Sequence, residues 1–291
     1  MDAISAFTQG EIEDPVYVEI PPGYQELMPD KSFTSPPKTL VCLLYKALYG
    51  LKQSAMLWLK KIQATLKELG FLPLHSDECV YRNPESRILV VTYVDDFLVF
   101  GASIASIQDL KMRLKSMLRM EDLGPVQQYC GTRVIRDRAI RSIHLVQDQY
   151  MEKVLKAFRM QDCSAVSTPM EAGAAVYMVP STDPPDDVRT QEYQSIVGSG
   201  MYAMTQTRPD LAYTLSVLSR FNQNPSLQHI KAAKRMLRYI QGTKLLGITY
   251  TGHPSGTLDI QAYSDSDYTG DLEMRRFITN YIIYITRSLT I

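Results

Sequence analysis

Two adjacent aspartates, Asp95 and Asp96, interrupt the apolar run VVTYVDDFLVFG at residues 90–101. The β-branched and aromatic residues on either side predict two strands with the Asp-Asp pair as their two-residue connection, at the tip of a hairpin. Asp-Asp is not a favoured turn pair, so turn propensity alone does not account for it. Carboxylates are costly to place among apolar residues, and like charges repel unless a cation lies beside them. A solvent-exposed acidic turn is the alternative explanation.

Paired carboxylates of this kind are typical of sites that hold hard divalent ions. Mg²⁺ binds through a few carboxylate oxygens and keeps positions open for water and phosphate. Two such ions, bridged by carboxylates, position the attacking and leaving oxygens of a phosphoryl transfer. A site of this type needs another carboxylate from elsewhere in the chain, and Asp2 is the candidate. Taken alone, an aspartate so near a terminus is more often a frayed residue.

Short strings of residues follow one another along the chain in a fixed order. They are DAISAFTQG with PPGY (2–24), KALYGLKQSAMLW (46–58), YVDD (93–96), EDLGPVQQYCG (121–131), STPM (167–170), VGSGMYAMTQTRPDLAYTLSVLSRF (197–221), HIKAAKRMLRYIQGT (229–243) and AYSDSDYTGD (262–271). Together they resemble the reverse transcriptase of copia-type LTR retrotransposon Pol polyproteins. Several motifs in one order are more specific than any one of them, and the resemblance spans essentially all 291 residues.

The resemblance implies an RNA-directed DNA polymerase that uses two Mg²⁺ ions. Asp2, Asp95 and Asp96 would be its catalytic and metal-binding residues. Their role would be positioning and charge neutralisation, because phosphoryl transfer requires little covalent chemistry of the protein. The implied partners are an RNA template, a DNA primer, dNTPs and other parts of a Pol polyprotein.

The same resemblance implies substrate-binding residues. Tyr93 would lie near the primer end, while Gln53, with Tyr49 and Gly50, would contact the dNTP or the template. Structural alternatives stay open, because Gly50 is also expected in a turn and Tyr49 is also expected in the core.

The implied fold class is α+β. It consists of a polymerase palm, in which helices pack on an antiparallel sheet, followed by thumb and connection helices and a partial ribonuclease H-like α/β segment. The predicted divisions are palm and thumb at 1–170, a linker at 171–190, connection helices at 191–243 and a truncated ribonuclease H-like segment at 244–291. Apolar spacing and capping residues predict helices at 54–69, 103–120, 191–206, 209–223 and 226–241.

The start of the chain departs from the family's pattern. The family has a fingers segment ahead of its first aspartate, whereas this chain begins one residue before Asp2. We therefore expect the fingers to be missing and Asp2 to be poorly preorganised on a free end. A truncated copy of this kind is expected to be inactive in isolation.

A second departure concerns the ribonuclease H-like segment. Asp265 matches the first metal-binding acid of that fold, and the acids that follow it are Asp267, Asp271 and Glu273. All three are close to Asp265 in sequence, whereas the complete site needs acids from later elements. We expect a remnant of the fold without nuclease activity.

Basic residues offer a candidate surface for nucleic acid. The last of the predicted helices carries Lys231, Lys234, Arg235 and Arg238 opposite its apolar face. Such a row suits a grip on the phosphates of a primer–template duplex that does not read sequence. A solvated helix face is the alternative, and the basic hairpin RVIRDRAIR at 133–141 has the same two explanations.

Composition limits the functional classes. Basic and acidic residues number 31 each, so no global charge attracts nucleic acid or an anionic membrane. The four cysteines form no CxxC pair, which argues against a zinc site. No apolar run is long enough for a membrane span or a leader. We expect an intracellular protein without membrane contact, cytoplasmic (in a virus-like particle) or nuclear, with reduced thiols.

Three hypotheses follow for the function. The first is a reverse transcriptase, which the intact Asp-Asp pair favours. The second is a retroelement relic that catalyses nothing, which the missing fingers favour. The third is a nucleic-acid-binding fragment that keeps the basic elements and needs a partner for chemistry.

Overall fold

The computed structural model describes residues 1–24, 41–174, 178–252, 259–267, 278–285 and 288–290. The chain divides into two compact units, Met1–Val126 and Gln127–Ile291, in a mixed α+β fold whose sheets are antiparallel. Among the described residues, no helix combines the length and apolar character that a membrane span requires.

Among the described residues, the first unit contains eight strands, two α-helices and a 3₁₀ helix at Ala6–Gln9. They are β1 (Asp2–Ala3), β2 (Glu11–Glu19), β3 (Val41–Lys46), α1 (Ser54–Glu68), β4 (Leu72–Pro73), β5 (Val80–Arg82), β6 (Leu89–Tyr93), β7 (Asp96–Phe100), α2 (Ile104–Met117) and β8 (Met120–Glu121). Six strands form one sheet in the order β4-β5-β6-β7-β1-β8, and β2 pairs separately with β3. The short strand β1 therefore lies in the interior of the sheet, beside the hairpin β6–β7.

Helices α1 and α2 confirm the two helices predicted from the apolar spacing of the sequence. Trp58, Ile62 and Leu66 of α1 are buried in one core cluster with Leu110 and Leu114 of α2. Their spacing of three or four residues places them on one face of each helix. This core covers one face of the six-stranded sheet, which fixes the sheet on that side.

The ends of these helices follow local rules. Helix α2 begins after Ser103, whose hydroxyl accepts a hydrogen bond from the Ser106 backbone N–H, as expected of an N-cap. Helix α1 ends before Gly70, whose φ of 80° is a left-handed conformation that suits glycine at a helix end. Both boundaries lie within three residues of the predictions.

The second unit contains the remaining helices and strands. They are β9 (Gln128–Tyr129), β10 (Thr132–Asp137), β11 (Ser142–Val146), α3 (Asp148–Ala157), α4 (Asp187–Gln206), a 3₁₀ helix (Pro209–Leu211), α5 (Ala212–Ser219), α6 (Leu227–Gly242), β12 (Ile248–Thr251), β13 (Ile260–Asp267), β14 (Ile278–Ile285) and β15 (Ser288–Thr290). Strands pair in the order β12-β11-β10-β9 in one sheet and β13-β14-β15 in another. Residues 244–291, predicted as one segment, therefore contribute strands to two sheets.

Two helix predictions in this unit need correction. The helix predicted at 209–223 is a 3₁₀ turn followed by α5, which ends at Ser219. Helix α4 begins at Asp187 rather than 191, because the Asp186 carboxylate accepts a hydrogen bond from the Arg189 backbone N–H and caps it earlier.

The segment predicted as a linker contributes to packing. Met178 lies within it and Met170 immediately before it, and both are buried in the core of the second unit. Residues 175–177 of this segment lie outside the described residues. The predicted division of the chain at 170, 190 and 243 stays a prediction.

A buried arginine organises the helices of the second unit. Arg208 is fully buried, and its guanidinium donates two hydrogen bonds to the Asp210 carboxylate, at 2.9 and 2.8 Å. It also donates to the Thr243 carbonyl and hydroxyl, and the Tyr239 hydroxyl donates to Asp210. Because a buried charge is tolerated only when it is paired, this network ties the end of α4 to the end of α6.

Candidate active site

The structure places the Asp-Asp pair one residue away from its predicted position in the hairpin. Tyr93 pairs with Asp96 across β6 and β7, so the two-residue connection is Val94–Asp95. Asp96 is therefore the first residue of β7, and only Asp95 lies in the turn. The prediction of an Asp-Asp connection is wrong by one residue. The turn includes Val94 in a left-handed conformation that its residue type disfavours, so the sequence does not indicate it.

Val94 has a φ of 54°, in the left-handed region. A β-branched residue in this region is strained, at a cost of about 1–2 kcal/mol. The indole N–H of Trp58 donates a hydrogen bond of 2.6 Å to the Val94 carbonyl oxygen. Trp58 is itself buried in the core of helix α1. A side chain of the core therefore holds the strained turn that carries Asp95.

Strand β1 brings Asp2 to the hairpin. Asp2 is the partner of Asp96 in the antiparallel pairing of β1 and β7. The flanking residues Met1 and Phe97 exchange two backbone hydrogen bonds, each of 2.8 Å, so Asp2 and Asp96 form a non-hydrogen-bonded pair. Side chains of such a pair lie closest together and on the same face of the sheet. The structure thus brings together two acids that are 94 positions apart in the chain.

A row of four side chains crosses this face of the sheet. Tyr93 is opposite Asp96, Asp96 is opposite Asp2, and Asp2 is opposite Glu121 of β8. We call Tyr93, Asp96, Asp2 and Glu121 the acid row. Glu121 is exposed, while Asp2 and Asp96 are half-buried.

The residues next to the acid row have the opposite orientation. Thr92, Phe97, Ala3 and Met120 alternate with the row along their strands, and all are buried. This period of two separates a face that packs on the helices from a face that carries the carboxylates. The core thereby fixes the orientation of the acids.

Sequence reasoning missed Glu121. It lies in a quoted motif, EDLGPVQQYCG, but its two-residue strand has no periodicity that predicts pairing with Asp2. Helix α2 holds this strand in place, because its Lys111 side chain forms a 2.7 Å salt bridge with Asp122, the residue after β8. Only the register of β8 places a third carboxylate in the row.

The surroundings of Asp96 disfavour its charged form. Burial raises the pKa of Asp96 above its usual value, and the negative charges of Asp95 and Asp2 raise it further. The amino group of Met1 acts in the opposite direction. The charged form of Asp96 is therefore disfavoured, and a cation nearby would relieve this cost.

The donor atoms fit a hard divalent cation, since Asp2, Asp95 and Asp96 offer only carboxylate oxygens. In the part of the chain that the structure describes, no group of three His, Cys, Asp or Glu side chains is already gathered closely enough to hold a metal ion. The chemistry of the donors supports a Mg²⁺ site, while a complete ligand set is not preassembled.

The predicted substrate-binding residues precede or begin helix α1. The Tyr49 side chain is 61% exposed, so it does not fill the core, and its ring lies 4.7 Å from the ring of Phe7. Gly50 has a φ of 96°, which fits the alternative of a turn glycine. Gln53 lies at the N-cap of α1 without a capping hydrogen bond from its side chain. Trp58, one turn further along α1, contacts the Val94 turn, so the same helix links this segment to the hairpin.

The basic residues of α6 make contacts within the second unit. Lys234 forms a 2.8 Å salt bridge with Glu192, and Arg235 forms one of 3.1 Å with Glu171. Arg238 donates to the Ser164 carbonyl at 2.7 Å. Three of the four predicted nucleic-acid-binding side chains thus hold neighbouring segments, while Lys231 is exposed. Their binding of nucleic acid stays a prediction.

The basic hairpin at 133–141 is present as β10 and β11. Its first arginine, Arg133, forms a bidentate pair with Asp148 at 3.1 and 2.7 Å, which joins the hairpin to α3. Arg136, Arg138 and Arg141 are exposed.

The predicted ribonuclease H remnant lies in β13. Asp265 is exposed and is paired with Asn280 of β14. Asp271 and Glu273 lie outside the described residues. A metal-binding role for Asp265 stays a prediction.

Comparison with known proteins identifies the family of this chain. The family model for reverse transcriptase (RNA-dependent DNA polymerase) matches residues 1–172, which include all three predicted catalytic aspartates. This chain belongs to the reverse transcriptase family. No solved structure matches it.

The similar proteins include Pol polyproteins of copia-type transposons. The chain is 36% identical over 288 residues to the retrovirus-related Pol polyprotein from transposon TNT 1-94 of Nicotiana tabacum, covering 97% of this chain and 21% of that protein. It is 32% identical over 287 residues to the Pol polyprotein from transposon RE1 of Arabidopsis thaliana, covering 98% of this chain and 18% of that protein. The chain thus spans about a fifth of the length of these relatives.

A shorter relative matches over most of its own length. The Ty5-1 transposon protein YCL074W of Saccharomyces cerevisiae is 30% identical over 271 residues, which are 92% of this chain and 83% of that protein. The recognition of a copia-type reverse transcriptase from the order of its motifs is confirmed.

Proposed function

We propose that this reverse transcriptase chain is an RNA-directed DNA polymerase that joins nucleotides at the acid row. The observation that carries the proposal is the pairing of Asp2 with Asp96 on the face of the sheet opposite the helix core, beside Asp95 in the hairpin turn. Membership of the family supports the reaction class, and the pairing of Asp2 with Asp96 supports the acid row as its location.

Asp2, Asp95 and Asp96 would hold two Mg²⁺ ions. When bound, these ions would neutralise phosphate charge and position the attacking and leaving oxygens. The chain's own contribution is to fix where the carboxylates lie. The β1–β7 pairing holds Asp2 against Asp96, and the bond between Trp58 and Val94 fixes the turn of Asp95.

Tyr93 supports a position for the primer end. Its side chain is 62% exposed, and it lies directly opposite Asp96 on the same face of the sheet. An exposed aromatic ring beside the carboxylates offers a surface on which a nucleotide can stack. Gln53, Tyr49 and Gly50 are proposed to meet the incoming dNTP or the template, since α1 links them to the same hairpin.

The proposed partners are an RNA template, a DNA primer and dNTPs, together with other parts of a Pol polyprotein. The last of these follows from the relatives, of which this chain covers about a fifth. An intracellular location, in virus-like particles or the nucleus, is where such partners would be met.

Incorporation of dTTP on a poly(rA)·oligo(dT) template tests the proposal. The full chain is compared with Asp95→Asn and with Asp109→Asn, which makes the same chemical change at an exposed position of α2. We expect Mg²⁺-dependent incorporation that Asp95→Asn abolishes and Asp109→Asn leaves intact. Absence of incorporation by the unaltered chain, or equal incorporation by both variants, would contradict the proposed function.

A further inference from the structure

A basic cleft lies in the first unit, outside the acid row. Its volume is about 280 Å³, and its charged lining consists of Lys46, Lys61, Lys115, Arg119 and one carboxylate, that of Glu11. A cleft of this size is small for a drug-sized ligand but has room for a phosphate group. We call it the basic cleft.

Four elements contribute one cation each to the basic cleft. Lys46 ends β3, Lys61 is on α1, Lys115 is on α2, and Arg119 precedes β8. Within the described ranges, none of the four forms a salt bridge within 4.0 Å. In a chain of zero net charge, four cations beside one carboxylate leave an excess of three positive charges around this cleft, which is a local feature.

The floor of the basic cleft is rigid. The Gln9 side chain donates to the carbonyls of Ile4 and Arg119, both at 3.0 Å, and accepts from the Arg119 backbone N–H at 2.8 Å. The Arg119 guanidinium donates to the Thr8 hydroxyl at 2.9 Å. These bonds join the 3₁₀ helix to Arg119, the residue that precedes β8. The floor of the cleft is therefore formed before any ligand binds. Preorganised cations lose little entropy when an anion binds.

The basic cleft is close to the acid row along the chain. The Ile4 N–H donates to the Arg119 carbonyl, so these residues continue the pairing of Asp2 with Glu121. Ile4 is two positions after Asp2, which is about 7 Å along an extended chain. A polyanion that reaches the acids would therefore pass within a few nucleotides of the basic cleft.

We propose that the basic cleft binds phosphates of a nucleic-acid backbone, as a contact separate from the acid row. Lysine and arginine side chains bind phosphate by charge and without reading bases, so the contact is independent of sequence. The identity of the occupant as nucleic acid rests on the proposed function. The affinity of the cleft for phosphate rests on its own charges.

The test compares two triple variants of the full chain that have the same net charge. The cleft variant carries Lys46→Gln, Lys61→Gln and Lys115→Gln. The control variant carries Lys60→Gln, Lys67→Gln and Lys153→Gln, at exposed positions that do not line the cleft. Lys60 and Lys61 are neighbours on α1, which makes the comparison local.

Binding to a fluorescent poly(rA)·oligo(dT) duplex is measured in EDTA, without nucleotides, at several salt concentrations. Each lost phosphate contact lowers the slope of log K against log salt by about 0.9. We expect the slope of the cleft variant to fall by about 2–3 and its affinity at 0.1 M salt to fall about one hundredfold. The control variant should keep the slope of the unaltered chain.

Equal weakening of both variants, or no weakening of either, would overturn the proposal. Tripolyphosphate serves as a second probe: if the cleft variant loses tripolyphosphate binding but keeps duplex binding, the assignment of nucleic acid is wrong. Because this assay needs no catalysis, its failure is distinguishable from a failure of dTTP incorporation.

Discussion

Replacing Trp58 by phenylalanine tests how the hairpin is held. Trp58 is the single tryptophan of the chain, and its indole N–H bonds the carbonyl of Val94. Phenylalanine keeps an aromatic ring in the core but removes the donor. The partner carbonyl then lacks its hydrogen bond, and the turn loses the contact that offsets the left-handed conformation of Val94.

The expected cost has two parts. The bond to the Val94 carbonyl is partly buried, so its loss costs about 0.5–1.5 kcal/mol, and the smaller ring adds a cavity. We expect the free energy of unfolding to fall by about 2–4 kcal/mol. If about 1.4 kcal/mol of this loss falls on the turn itself, the native conformation of the turn becomes about tenfold less populated relative to its other conformations. The rate of dTTP incorporation should fall by a similar factor.

Leu66→Ala is the matched control for Trp58→Phe. Leu66 is fully buried in the same core and on the same helix, eight residues from Trp58, or about 12 Å along the axis. Its truncation costs about 2–5 kcal/mol but leaves the bond to Val94 in place. Urea unfolding followed by circular dichroism gives the stability of each variant, and incorporation is measured well below both unfolding temperatures.

The two variants should therefore differ in activity at similar stability. Trp58→Phe should lose about tenfold in kcat, whereas Leu66→Ala should retain most of it. If both variants lose activity in proportion to stability, Trp58 acts only as a core residue and the reasoning is refuted.

Three further predictions concern stability and pH. Asp96→Asn should stabilise the chain at pH 7 in EDTA but not at pH 3. The reason is that the pKa of Asp96 is raised in the folded state, so its deprotonation with rising pH opposes folding. Equal melting temperatures of the variant and the unaltered chain at pH 7 would contradict this. Arg208→Met should cost about 3–5 kcal/mol in urea unfolding, since it leaves the Asp210 carboxylate without its buried partner; a loss below 1 kcal/mol would contradict it. Burial lowers the pKa of His229, so the second unit should lose stability as the pH falls below about 6.5, and His229→Gln should remove that dependence.

Much of the first unit follows from local sequence patterns. The spacing of Trp58, Ile62 and Leu66 predicted α1, and the apolar runs around residues 90–101 predicted the β6–β7 hairpin. These features depend on short-range periodicity, which the sequence displays directly. Asp95 and Asp96 came from the position of two carboxylates within an apolar run, and the order of motifs, which identified the family, added weight to Asp2.

The register of the hairpin could not be read from the sequence. Val94 adopts a conformation that its own side chain disfavours, and the bond that offsets this comes from Trp58, which is 36 residues away. Likewise, β8 has two residues, so nothing in its pattern predicts that Glu121 faces Asp2. Long-range contacts decided both positions.

The charged residues of α6 show another limit. The sequence predicted their face correctly, since Leu237 and Ile240 are buried while Lys231 is exposed. It did not predict that Arg235 and Arg238 contact residues 164–171. A basic row on a helix does not reveal whether its partners are phosphates or the same chain.

Localised cleavage by iron tests the central claim, that Asp2, Asp95 and Asp96 hold divalent cations, most directly. Fe²⁺ replaces Mg²⁺ at carboxylate sites, and with ascorbate and peroxide it cleaves the backbone next to where it binds. The account predicts cleavage at residues around Asp2 and Asp95–Asp96, suppressed by excess Mg²⁺ and lost in Asp96→Asn. Cleavage elsewhere, or cleavage at these residues that survives Asp96→Asn, would contradict it.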